Sequence, residues 1–92
     1  MFARSQHADR NGISLQVYLD NLNFALVQKL FGEPDPNAYQ DEEKGYDGNE
    51  YLFVEQSTGL PVNLYARWGD WRVGAHEKAT AERFATWLRS LI

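Results

Sequence analysis

Tyr51-Leu52-Phe53-Val54-Glu55-Gln56, then Ser57-Thr58-Gly59, then Val62-Asn63-Leu64-Tyr65-Ala66-Arg67-Trp68, and after Gly69-Asp70 the run Trp71-Arg72-Val73-Gly74-Ala75, decide the fold. Each long run is rich in aromatic and branched residues, and each break carries turn residues, so the stretch predicts a three-stranded antiparallel meander. Ser57-Thr58-Gly59 reads as a three-residue hairpin loop and Gly69-Asp70 as a two-residue turn. That spacing sets Val54 opposite Val62, Leu52 opposite Leu64, Ala66 opposite Val73 and Trp68 opposite Trp71. Leu52, Val54, Val62, Leu64, Ala66, Trp68, Trp71, Val73 and Ala75 then form the core side. Tyr51, Phe53, Glu55, Asn63, Tyr65, Arg67 and Arg72 form the reverse side.

Outward from the meander, helical spacing of Leu15, Tyr18, Leu19, Leu22, Ala25, Leu26 and Leu30 predicts a helix over 15–31, capped by Ser14 and stopped by Gly32 and Pro34. Val17, Phe24, Val27 and Phe31 form a second apolar stripe on it, to be covered by the N-terminal arm, by the sheet or by a second copy in a homodimer. Ala81, Phe84, Leu88 and Leu91 predict a one-sided helix over 77–91. Residues 1–13 lack periodicity and read as an arm, leaving 14–92 as one domain. Residues 32–50 read as a long loop, pinned by Tyr39 and Tyr46 or holding a short edge strand near Tyr39 to Glu42. The expected fold is α+β, a two-layer α-β-β-β-α unit.

Ninety-two residues leave room for one core only, and the absence of cysteine removes disulfides, thiolate nucleophiles and Cys-based metal sites. No apolar run reaches the length of a membrane span and the N-terminus lacks a signal-peptide core, so a cytoplasmic location is expected. The net charge is -4, which disfavours duplex nucleic acid. Its distribution is uneven: -7 from Glu33 to Glu55, +2 from Gln56 onward and +1 before Glu33.

Only His7 and His76 titrate near neutrality, with no nucleophile pattern beside either, so no catalytic residues are expected. The acids Asp41, Glu42, Glu43, Asp47 and Glu50 do not follow a calcium-loop pattern, and neither a metal nor another cofactor is expected. Tyr51, Phe53 and Tyr65 beside Arg67 and Arg72 have the composition of protein-interface anchors. The same face would also suit stacking of single-stranded bases, or be covered within the monomer by the first helix or the arm. With Asp41, Glu42 and Glu43 supplying attraction, the expected partner is another protein with a basic surface.

Leu30-Phe31-Gly32-Glu33-Pro34 closing a helix, the acidic loop, Tyr51-Leu52-Phe53, Val62-Asn63-Leu64-Tyr65 and Trp71-Arg72-Val73-Gly74 together resemble small phage-encoded proteins that end a helix with Phe-Gly-x-Pro and continue into an aromatic meander. The resemblance covers about half the chain. It implies a phage or mobile-element setting, in which compact acidic binders of host machinery, anti-CRISPR proteins among them, are frequent. The functional expectation is a non-enzymatic binding protein that occupies a host protein's surface, with a homodimeric assembly module as the alternative.

Overall fold

A run of alternating residues specifies a strand, but the hairpin loops decide which alternate set is buried. The computed structural model describes all 92 residues. Six strands, β1 (Phe2–Arg4), β2 (Ser14–Leu19), β3 (Gln40–Asp41), β4 (Tyr46–Glu55), β5 (Pro61–Arg67) and β6 (Asp70–Ala75), form one antiparallel sheet with two helices, α1 (Phe24–Phe31) and α2 (Lys78–Ser90). The order is β1-β4-β5-β6-β2, with β3 also paired to β4. The fold is therefore α+β, with the expected meander at its centre. Neither helix is long and apolar enough to cross a membrane.

The loop between β4 and β5 is longer than the sequence suggests. Glu55 N–H donates to Leu60 O at 2.9 Å, so the turn spans 56–59, and Phe53 faces Val62 while Tyr51 faces Leu64. This one-residue difference from the expected pairing turns β4 over. Tyr51 and Phe53, expected outside, are sealed in the core, and Leu52 and Val54 move to the reverse side. At the other turn Arg67 faces Asp70, with Trp68 and Gly69 as the central residues at φ 54° and 82°. That slip is two residues, which keeps Leu64, Ala66, Trp71, Val73 and Ala75 on the core side. Trp68 leaves the core and is 63% exposed.

The expected helix over 15–31 divides in two. Leu15 and Leu19 fit helical spacing, but Val17 and Leu19 also fit alternation, and β2 pairs with the edge of β6, a bulge between Leu15 and Val17 turning Leu15 to the reverse side. Strand pairing with an otherwise open edge overrides the helical reading, and Asn21 at φ 61° breaks the chain before α1. Asn23 then caps α1, its Oδ1 accepting from Leu26 N–H at 2.9 Å. Val27 is fully buried and Val17, Phe24 and Phe31 pack partly on the core, so the stripe offered to a homodimer is engaged within one chain.

Both helices lie on the same side of the sheet. Phe84 of α2 packs 4.9 Å from Phe53 and 5.1 Å from Phe2, and Trp87 of α2 stacks on Phe31 of α1 at 6.0 Å, each distance between ring centroids. Burying a ring such as Phe84 contributes about 1.5–3 kcal/mol. Phe2 therefore ties the expected arm into the core as β1. Glu55, also on this side, is clasped by Arg83 of α2 through bonds of 2.7 and 2.9 Å. That bond pulls its carboxyl below the ordinary 4.5 and raises the Arg83 guanidinium.

Candidate binding face

The reverse side carries no helix. Cross-strand pairing sets its residues in rows: Tyr46, Arg67 and Asp70; then Glu50, Tyr65, Arg72 and Tyr18; then Leu52, Asn63, Gly74 and Leu15. The last row is partly covered, with Leu15 at its β2 end still 37% exposed. β1 and β2 stand at opposite edges of the sheet, four strand spacings or about 19 Å apart. Residues 5–13 join them by crossing this face. Arg10 on that crossing segment donates to Asn37 O at 2.6 Å and pairs with Glu50 at 3.1 Å. A Cβ on Gly74 would lie 2.7 Å from Ile13 Cγ2 and 2.1 Å from Asn63 Oδ1, which is why the position lacks a side chain. Leu52 is buried on this side.

The uncovered part of this side, with Asn63 and Leu15 of the last row at its border, forms a cleft of about 540 Å³ between the crossing segment and the β3–β4 hairpin. Its floor is polar: Asn63 Nδ2 donates to Glu50 Oε2 at 2.8 Å, and Glu50, Asn63 and Arg72 are all buried. A bulge in β4 between Tyr46 and Glu50, with Gly48 at φ 85°, brings Glu50 to the floor. The walls are aromatic. Tyr46 lies nearly parallel to Tyr65 with centroids 6.1 Å apart, Tyr39 meets Tyr46 edge-on at 4.8 Å, and Arg67 sits 4.6 Å over the Tyr46 ring. Arg72 sits 4.9 Å over Tyr18. Burial pushes the Tyr65 hydroxyl pKa up from its ordinary 10.0.

Beside the cleft is a tip made by two turns. Asp41 starts the single 3-10 turn Glu42–Lys44, its Oδ1 accepting from Lys44 N–H, and Glu42 and Glu43 are exposed. Trp68 N–H donates to Gly45 O at 2.9 Å. Its ring lies on Gly45, where a Cβ would approach it to 2.3 Å. Arg67 Nε donates to Lys44 O at 2.8 Å, joining tip and cleft.

Of the residues expected to bind a partner, Tyr65, Arg67 and Arg72 line the cleft and Asp41, Glu42 and Glu43 stand at the tip. Tyr51 and Phe53 belong to neither; Tyr51 instead donates its hydroxyl to Gly32 O at 2.8 Å inside the core. Three of the acids counted in the acidic stretch are also internal. Asp35 is bonded to Arg4, Glu50 to Arg10 and Glu55 to Arg83. Tyr18, Tyr39, Tyr46, Arg10 and Trp68 are additions: the sequence places Tyr18 on a helix, Tyr39 and Tyr46 as pins of a loop and Trp68 in the core, and none of them in a binding site. Trp68-Gly69 between two β-favouring runs was the available sign, since a two-residue turn with glycine second marks a hairpin. His7 and His76 are both exposed. No group of three or more His, Cys, Asp or Glu side chains is arranged to hold a metal ion. No protein-family model, curated protein or solved structure matches this chain.

Proposed function

We propose that the chain is a non-enzymatic binding protein that docks on another protein through the tip formed by Asp41, Glu42, Glu43 and Trp68, with Tyr39 and Asp47 at its margin. The observation that carries this reading is Trp68. It is 63% exposed and holds φ 54°, a left-handed conformation that a bulky residue adopts at a cost and that glycine or asparagine would adopt freely. Hairpin stability alone does not select tryptophan there, whereas interface anchors are enriched in it. Exposed carboxylates around such an anchor favour a partner with a basic surface and speed the encounter. A basic groove that holds nucleic acid is the natural target, because carboxylates compete with phosphate for the same lysines and arginines. An inhibitor of a host nucleic-acid-handling or defence protein, encoded by a phage or mobile element, fits that chemistry.

The test is capture of the partner from the native host, followed by titration of the purified pair. Trp68→Ala should weaken binding by about 30-fold, the size of an interface hot spot. Changing Asp41, Glu42 and Glu43 together to lysine should weaken it further and flatten its dependence on salt. Affinity unchanged in both variants would refute the reading.

A further inference from the structure

Arg72 is an anomaly of the cleft. It is 9% exposed, yet its guanidinium donates no hydrogen bond within the chain: Nε is buried without a partner, and the nearest carboxylate oxygen, on Asp70, is 3.8 Å away. A guanidinium offers five donors, and within the chain this one has only the face of the Tyr18 ring at 4.9 Å and that distant, exposed carboxylate, so its donors stay open to a ligand. Asn63, also 9% exposed, braces the floor by donating from Nδ2 to Glu50, while its Oδ1 is packed against Gly74. The local charge points the same way. Arg10, Lys44, Arg67 and Arg72 line the cleft against Glu50 alone, and Glu50 is already bound to Arg10. This is a cationic hollow in a chain of net charge -4.

We propose that the cleft is a binding site for a small planar anion, a ring carrying a phosphate or carboxylate, with Arg72 and Arg67 holding the charge and Tyr46 and Tyr65 holding the ring. A volume of about 540 Å³ falls within the range of small-ligand sites, roughly 300–1,000 Å³. Closure by the crossing segment on one side and the β3–β4 hairpin on the other makes a hollow for one molecule instead of a groove for a polymer. Guanidinium groups match the planar, two-oxygen face of phosphate and carboxylate. The Tyr65 hydroxyl adds a donor. The site is distinct from the docking tip, since the anchoring carboxylates and Trp68 lie outside it, with Tyr39 bordering both.

Adenosine monophosphate, benzoate and inorganic phosphate are the probes, titrated into the full chain at low salt with amide NMR shifts as the readout. One or both ring-bearing anions should give saturable shifts at Asn63, Tyr65 and Arg72 with a dissociation constant of about 1 mM or below, and phosphate alone should bind several-fold more weakly. Adenosine monophosphate alone would assign a nucleotide, benzoate alone an aromatic acid. Arg72→Met should lose about 10-fold or more in affinity while keeping or raising the melting temperature, because it removes a buried cation that donates no hydrogen bond within the chain. A structural arginine would behave oppositely. Arg67→Gln provides the same affinity test without touching the floor, and Arg89→Gln on α2 should change nothing. No saturable shift from either ring-bearing anion at about 5 mM, phosphate binding as tightly as both, or full affinity in Arg72→Met and Arg67→Gln would each overturn the proposal.

Discussion

Trp68 and Gly74 show how single positions separate stability from binding. The left-handed conformation of Trp68 costs about 1 kcal/mol or more, partly offset by packing of its ring on Gly45. Trp68→Asn should therefore leave thermal stability unchanged or higher, as read by calorimetry, while partner affinity falls. A lower melting temperature together with intact binding would make Trp68 a structural residue. Gly74 is the converse case. Gly74→Ala forces Asn63 away from its place on the floor, breaking its bond to Glu50, and presses on Ile13. Urea denaturation should show a loss of about 1–3 kcal/mol. Neither feature can be read from composition, since one depends on where a turn falls and the other on a segment crossing from sixty residues earlier in the chain.

Among the elements, α2 and the existence of the three meander strands were legible because their patterns extend over many residues, whereas the register at both hairpins was not. Lys78–Ser90 falls inside the range read from Ala81, Phe84, Leu88 and Leu91. Residues 14–19 admit two readings, because Val17 and Leu19 alternate while Leu15, Tyr18, Leu19 and Leu22 keep helical spacing. Pairing with β6 decided between them, and that information is not local. Likewise, the candidate site was half legible: Tyr65, Arg67 and Arg72 follow from alternation within β5 and β6, but β4 depended on a hairpin loop whose length differs by one residue from the expected one. The clasp of α2 on β4 gives a prediction at this scale. Because Arg83 holds the Glu55 carboxyl below its ordinary 4.5, the folded state binds its proton less readily than the unfolded chain. The clasp thus stabilises fully above about pH 4.5 and is lost as pH falls through the folded value. The melting temperature of Glu55→Gln should start lower at neutral pH and fall less on acidification than that of the native chain. Parallel acid profiles would show that Glu55 contributes no such linkage.

Across the whole molecule, the two sides of the sheet have different tasks. Two helices and β1 seal one side around Phe53 and Phe84, while the crossing segment covers only part of the other and leaves the cleft between itself and the β3–β4 hairpin. Burial also holds the phenols of Tyr51 and Tyr65 above their ordinary 10.0. Their neutral forms then favour the folded state, a contribution present below pH 10 and lost as pH rises through the folded values. Phenolate absorption should accordingly show a late-titrating component that shrinks in Tyr51→Phe. An undiminished late component in that variant would place the buried phenol elsewhere.

The most direct test of the account is hydroxyl-radical footprinting of the chain, first free and then bound to the partner captured from its host. Free, Trp68, Tyr39 and Tyr18 should be modified readily while Tyr51, Phe53 and Phe84 are spared, as their exposures require. In the complex, protection should fall on Trp68 and Tyr39 and leave Leu91 and Ile92 reactive. Protection confined to the α2 end of the molecule, with Trp68 still modified, would contradict it.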